Sequence, residues 1–220
     1  MTETNEVPTL DPSMLIRLRL QAHRVERRFD SRPEALSDEA ILPCLSNELA
    51  GHPKFAQVRL AVGTNALFFQ CDVQGKKQLP WCRDSRLEDS DGLHVWIDTR
   101  NTRDVQRATK YCSRIGFLPM GSGPKADLPH VGWAPINRAK DNPPQPPWNL
   151  MSIRSRIADG RYRIVAAVHF DALHGLDSKD FPVVAFYFAV IDRELGWQSL
   201  SVPPDGAVAE NPSLWAQLIL

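Results

Sequence analysis

Short runs of alternating apolar and polar residues, each ended by glycine, proline or Asp-Gly, restrict what this chain can fold into. Side chains on an extended strand point to opposite faces with a period of two, so such a run buries one face. Gln57-Val-Arg-Leu-Ala-Val62 and Ala66-Leu-Phe-Phe-Gln-Cys-Asp-Val73 flank the turn residues Gly63-Thr-Asn65. Met151–Ile157 and Tyr162–Phe170 flank Asp159-Gly160 in the same way. Both are hairpin signatures. In Gly92–Asp98, Leu93, Val95 and Ile97 take one face, and His94, Trp96 and Asp98 take the other. Val183–Ile191 is apolar throughout, which predicts a strand covered on both sides. Met14–Leu20, Tyr111–Leu118 and Leu214–Leu220 read as further strands. The 18 prolines disfavour long helices. The expectation is an all-β, two-sheet, mainly antiparallel β-sandwich of the jelly-roll or immunoglobulin-like kind.

A chain of 220 residues fits one such domain. The polar, acidic stretch Met1–Pro12 reads as a disordered tail, with residues 13–220 forming the domain. Arg24–Ser31 reads as an exposed hairpin or loop, and Gly121–Trp148, rich in proline and glycine, as one long loop. Twenty-six basic residues balance twenty-six acidic ones, so the footprint of a nucleic-acid binder is missing. Neither a secretory leader nor a run of about 20 apolar residues is visible, so the expected location is cytoplasmic and no membrane partner is expected. The four cysteines, Cys44, Cys71, Cys82 and Cys112, match no zinc spacing and read as free thiols, with a Cys82–Cys112 bridge left open.

The order of motifs resembles family 9 carbohydrate-binding modules and DOMON-like domains. An alternating hairpin precedes Asp89-Ser-Asp-Gly-Leu-His-Val-Trp-Ile-Asp98, which resembles the family's acidic strand. Val168-His-Phe-Asp-Ala-Leu173 resembles its hairpin end, and Phe186–Asp192 its long apolar strand closed by aspartate. Asn211-Pro-Ser-Leu-Trp-Ala-Gln-Leu218 resembles its last, tryptophan-bearing strand. The likeness covers about Gln57–Leu220. One departure is His94, at a position where the family's strand usually carries glutamate. The resemblance implies a β-sandwich that binds a saccharide or similar polar small molecule without catalysis, using aromatic side chains from loops at one end.

A sugar ring has apolar faces and a hydroxyl rim, so aromatic planes with nearby donors suit it. Trp81 and Trp197 are the candidate planes, with Trp133 and Trp148 in reserve, and Arg83, Arg86 and Arg193 are the candidate donors. Each tryptophan has the competing reading of capping the core. Glu88, Asp89 and Asp91 form the one acidic row that suggests Ca2+, by fold analogy and without EF-hand spacing. Otherwise no cofactor is expected. Haem held by Met120 and His130 is discounted because both read as lying in a loop. No nucleophile elbow, P-loop or dinucleotide fingerprint is present, and Asp192 with Glu194 reads as a structural turn, so an enzyme is not expected. The alternative function is an intracellular structural or protein-interaction domain that has lost the sugar site. Oligomeric state is not legible.

Overall fold

A computed structural model describes residues 18–202 and 207–220. The expected tail and most of Met14–Leu20 lie outside the described residues. Two sheets face each other. In the first, β5 (Gly92–Asp98) lies between β10 (Val183–Asp192) and β6 (Cys112–Ser122), and β7 (Leu128–Ala134) adds beyond β6. The other side of β10 is shared end to end, its first half by β12 (Ala216–Ile219) and its last residues by β11 (Gly196–Ser199). Paired on both sides along most of its length, β10 is almost entirely buried, as its unbroken apolar run predicts. The second sheet runs β3 (Ala56–Val62), β4 (Ala66–Gln74), β9 (Arg161–His169), β8 (Met151–Ala158).

One extended segment closes both edges. Arg19–Gln21 (β1) pairs in parallel with β12, and His23–Arg24 (β2) pairs in parallel with β3. Between them Ala22 is buried and donates its N–H to the Ile219 carbonyl at 2.9 Å. Strands that switch sheets in this way build the corners of a sandwich.

The hairpins fall where the alternation places them. Leu60, Leu67, Phe69 and Ile164 from one sheet meet Val95, Ile115, Phe117 and Phe188 from the other in a common core. Phe69 and Phe117 touch across it, their ring centroids 5.3 Å apart. Each such fully buried ring contributes roughly 1.5–3 kcal/mol.

Two features differ from the sequence expectation. Residues 121–148 are not one loop: β6 runs on to Ser122, and Leu128–Ala134 forms β7. Pro129 is tolerated because β7 is an edge strand, and Pro119 because the β6–β7 register shifts between Leu118 and Ser122. The outward-facing residues of β5 are also not wet, since the whole strand is buried. The 3-10 turn Asp84–Asp89 lays Leu87 over the cross-strand pair Gly116 and Gly132, where a Cβ at Gly116 would stand 2.7 Å from its Cδ1. Further along that face, Tyr187 Oη donates to the Val202 carbonyl at 2.9 Å, drawing the chain after β11 across.

The four cysteines are free. Cys112 opens β6 while Cys82 lies against Gly121 near its other end. Nine residues of strand separate the two ends by about 30 Å. The bridge left open by the sequence cannot form.

Candidate functional site

The end of the sandwich where β10 finishes is organised by one buried cation. Lys76 follows Gly75, whose φ of 93° turns the chain inward after β4. The Lys76 side chain is 4% exposed, against 1% for Asp91 and 0% for Asp192. Its Nζ donates to Asp192 Oδ1 at 2.8 Å and Oδ2 at 2.7 Å, and to Asp91 Oδ2 at 3.1 Å. Burial alone would lower the ammonium pKa. The hydrogen bonds and charges of Asp192 and Asp91 outweigh it, and the pKa is raised.

The carboxylates spend their other lone pairs on backbone. Asp91 Oδ2 accepts from Trp81 N at 2.9 Å, and its Oδ1 accepts from Arg193 N at 2.9 Å. Asp192 Oδ1 accepts from Glu194 N and Leu195 N, both at 3.0 Å. Glu194 accepts from Lys77 N at 2.7 Å and Gln78 N at 3.1 Å. The Lys77 N–H, helped by the Gln78 N–H and the Lys76 ammonium, holds the Glu194 carboxyl below its ordinary range. Two distant segments, 75–92 and 192–196, are thus fastened to each other through this cluster.

This clamp sets the candidate ligand residues. Trp81 is half-buried, and the Arg193 and Arg83 guanidinium carbons stand 4.1 and 5.1 Å from its ring centroid. A guanidinium over an indole face is held by the ring's quadrupole, and its N–H donors stay available at the edge. Neither arginine side chain has a hydrogen-bond partner among the described residues. Trp197 is 50% exposed and stands opposite Ile191, so it shares that residue's face at the same end of the sheet. The two indoles make no ring contact with each other among the described residues. Arg86 is turned aside to Asp89. Of the reserves, Trp133 is half-buried on β7 and Trp148 is 85% exposed in the 3-10 turn Trp148–Leu150.

The acidic row does not assemble as a calcium site. Asp91 is committed to Lys76 and two backbone N–H groups, Asp89 to Arg86, and Glu88 is exposed. No group of three His, Cys, Asp or Glu side chains among the described residues is placed to hold a metal ion. Asp192 and Glu194, both within reach of Lys76, sit in a structural turn. Met120 and His130 lie on β6 and β7, not in a loop as their sequence context suggested. Leu87 packs beside the His130 ring over Gly132.

Sequence reasoning missed Lys76, the residue on which the arrangement turns. A lysine after a glycine in a polar loop reads as solvated, and no spacing pattern ties it to Asp192. His94 is fully buried, donating from Nε2 to the Ser90 carbonyl at 3.1 Å. Its burial, with the Arg114 charge nearby, lowers its pKa to about 3 despite that bond. The residue at the family's glutamate position is thus a neutral interior group under the Asp84–Asp89 turn.

No helix among the described residues is long and apolar enough to cross a membrane. No protein-family model and no curated protein sequence matches the chain. Solved structures do. A carbohydrate-binding module family 9 structure from Caldicellulosiruptor kristjanssonii in complex with cellotriose superposes with a TM-score of 0.58 at 14% identity, covering 92% of this chain and 93% of that one. The glucose complex gives 0.57 at 13%, covering 92% and 95%. The crystal structure of a "putative carbohydrate-binding protein" from Bacteroides uniformis gives 0.58 at 12%, covering 92% and 98%. With identities of 12–14%, this likeness concerns architecture: the chain has the β-sandwich fold of the family 9 carbohydrate-binding modules.

Proposed function

We propose that the chain is a non-catalytic saccharide-binding module whose recognition surface is the sandwich end carrying Trp81, Arg83, Arg193 and Trp197. The observation that carries this reading is the indole of Trp81 with two guanidinium groups over its ring, fixed in place by a buried ion cluster. Such a platform offers hydroxyl-directed donors on a rigid base, and Trp197 adds an accessible ring face for a sugar's C–H side. The saccharide complexes of the structural neighbours support the ligand class.

Isothermal titration of the chain with gluco-oligosaccharides tests it, alongside Trp197→Ala and Trp81→Ala. Truncating an anchoring aromatic costs about 2 kcal/mol, or roughly thirtyfold in affinity. Each variant is expected to lose at least tenfold. Affinity in either variant equal to that of the unaltered chain, or no glycan bound by the unaltered chain, would sink the proposal.

A second reading, an interaction domain that keeps the fold without the sugar site, draws on Leu87 covering the face beside the buried His94. It also draws on the exposed Leu79, at 71%, and Trp148. It expects no glycan binding together with self-association or partner capture measured by light scattering.

A further inference from the structure

The open face of the second sheet carries a concentration of positive charge that overall neutrality conceals. Arg154 and Arg156 on β8 lie two residues apart, about 6.5–7 Å along the strand, so their side chains share a face. Across the hairpin, Arg156 stands directly opposite Arg163, and Arg161 opposite Ala158. Cross-strand partners share a face, so all four arginines point the same way. All four are exposed. Asp72 is the carboxylate that answers them, and it is already divided between Arg163 and Arg59, the latter at 2.7 Å. Arg154, Arg156 and Arg161 have no side-chain partner among the described residues.

Like charges set directly opposite on neighbouring strands destabilise a sheet. Charge on an edge strand does discourage pairing with other sheets, but either sign serves that purpose, and it does not call for facing arginines. The face is also grooved. A depression of about 240 Å3 is lined by Asp72, Arg156, Arg161 and Arg163. It shares Asp72 and Arg163 with another of about 380 Å3 that reaches Lys54. At its other end it shares Arg161 with a third of about 330 Å3 that reaches Lys77. Through these shared residues the three depressions adjoin and together outline a trough whose lining carries Arg163, Arg156, Arg161 and Lys77, with Lys54 paired to Glu48 and with the carboxylate of Asp159 at the far end.

From the alternating arginines and this trough we infer a second binding surface, for an acidic polysaccharide chain bearing carboxylate or sulfate groups. Planar guanidinium forks take such oxyanions two hydrogen bonds at a time, and an extended polymer matches a trough better than a small ion does. Phe68 shares this outward face but is fully buried beneath Val25, Phe29, Leu36 and Ala40, so it offers bases no stacking platform; with the chain's net charge at zero, nucleic acid fits less well. The choice of a saccharide as carrier of the anions rests on the saccharide-binding reading above.

The test is calorimetric titration of the full chain with polygalacturonate, dextran sulfate, hydroxyethylcellulose and oligo(dT), using Arg154→Ala/Arg156→Ala and Trp197→Ala as variants. Binding to polygalacturonate, dextran sulfate or both is expected, weakening as salt rises. The first of these alone identifies carboxylate, the second alone sulfate. The arginine variant is expected to bind about tenfold more weakly with no loss of Tm, because it removes like-charge repulsion, while Trp197→Ala keeps its affinity for the acidic polymer. The inference is overturned if neither acidic polymer binds at low salt, if the arginine variant binds as well as the unaltered chain, or if oligo(dT) binds as tightly. Failure of hydroxyethylcellulose to bind counts against the Trp81 end alone and leaves the acidic-polymer result intact.

Discussion

Lys76→Met is expected to be the most damaging single substitution in this protein, lowering Tm by roughly 10 °C. The ammonium is the shared partner of Asp91 and Asp192, both almost wholly inaccessible to water. Methionine fills much of the same volume but leaves two buried carboxylates facing each other without a counter-charge. Breaking a buried pair by removing one member costs about 3–5 kcal/mol. At this chain length each kcal/mol shifts Tm by about 2–4 °C. Differential scanning calorimetry reads the change directly, and a drop under about 2 °C would show that the cluster does not carry the load assigned to it. The double variant Lys76→Met/Asp192→Asn should recover part of the loss, because it removes one of the stranded charges. Lys76→Met should also weaken glycan binding, since Asp91 is the anchor of both the Trp81 and the Arg193 backbone N–H. The alkaline behaviour has a definite sign. A lysine whose folded pKa is raised contributes in full below its unfolded value of about 10.4 and loses that contribution as pH rises through the folded value.

The second large effect is acid destabilisation through His94. The ring is buried as the neutral form, with its pKa lowered to about 3, while the unfolded chain takes up a proton near 6.5. The stability it contributes is therefore complete above pH 6.5 and is lost as pH falls toward 3. One proton per molecule corresponds to about 1.4 kcal/mol per pH unit, so the whole interval is worth about 4–5 kcal/mol. His94→Gln supplies a neutral donor for the Ser90 carbonyl and has no proton to gain. Urea unfolding at pH 7, 6, 5 and 4 should show a steep fall for the unaltered chain and a flatter one for the variant. Parallel slopes would mean that other groups set the acid limb.

How much of this was legible differs from element to element. The hairpins β3–β4 and β8–β9 follow from alternation around Gly63-Thr-Asn65 and Asp159-Gly160, because pairing across a short turn is a local matter. The strand β7 was missed because Pro129, His130 and Gly132 suit strands poorly. It forms because β6 offers a free edge to pair with. Trp81, Arg83 and Arg193 were singled out as ligand candidates, yet nothing in the sequence joins Trp81 to a residue 112 positions later. The arginine face was present all along in the spacing of Arg154, Arg156, Arg161 and Arg163 around a tight turn.

By itself the sequence determined a two-layered β architecture, where the two hairpins turn and which side of Gly92–Asp98 carries the aliphatic residues, since these depend on period-two patterning and on turn chemistry confined to neighbouring residues. Tertiary structure alone decided that β5 is covered on its outer side, that Lys76 is buried against Asp91 and Asp192, and that Asp91, out of its acidic row, is the one committed to that buried cation and to two backbone N–H groups. Those outcomes depend on which charges meet after the chain has closed on itself, and the Coulomb and desolvation energies of such meetings are fixed by distance and burial in space, quantities on which sequence separation is silent.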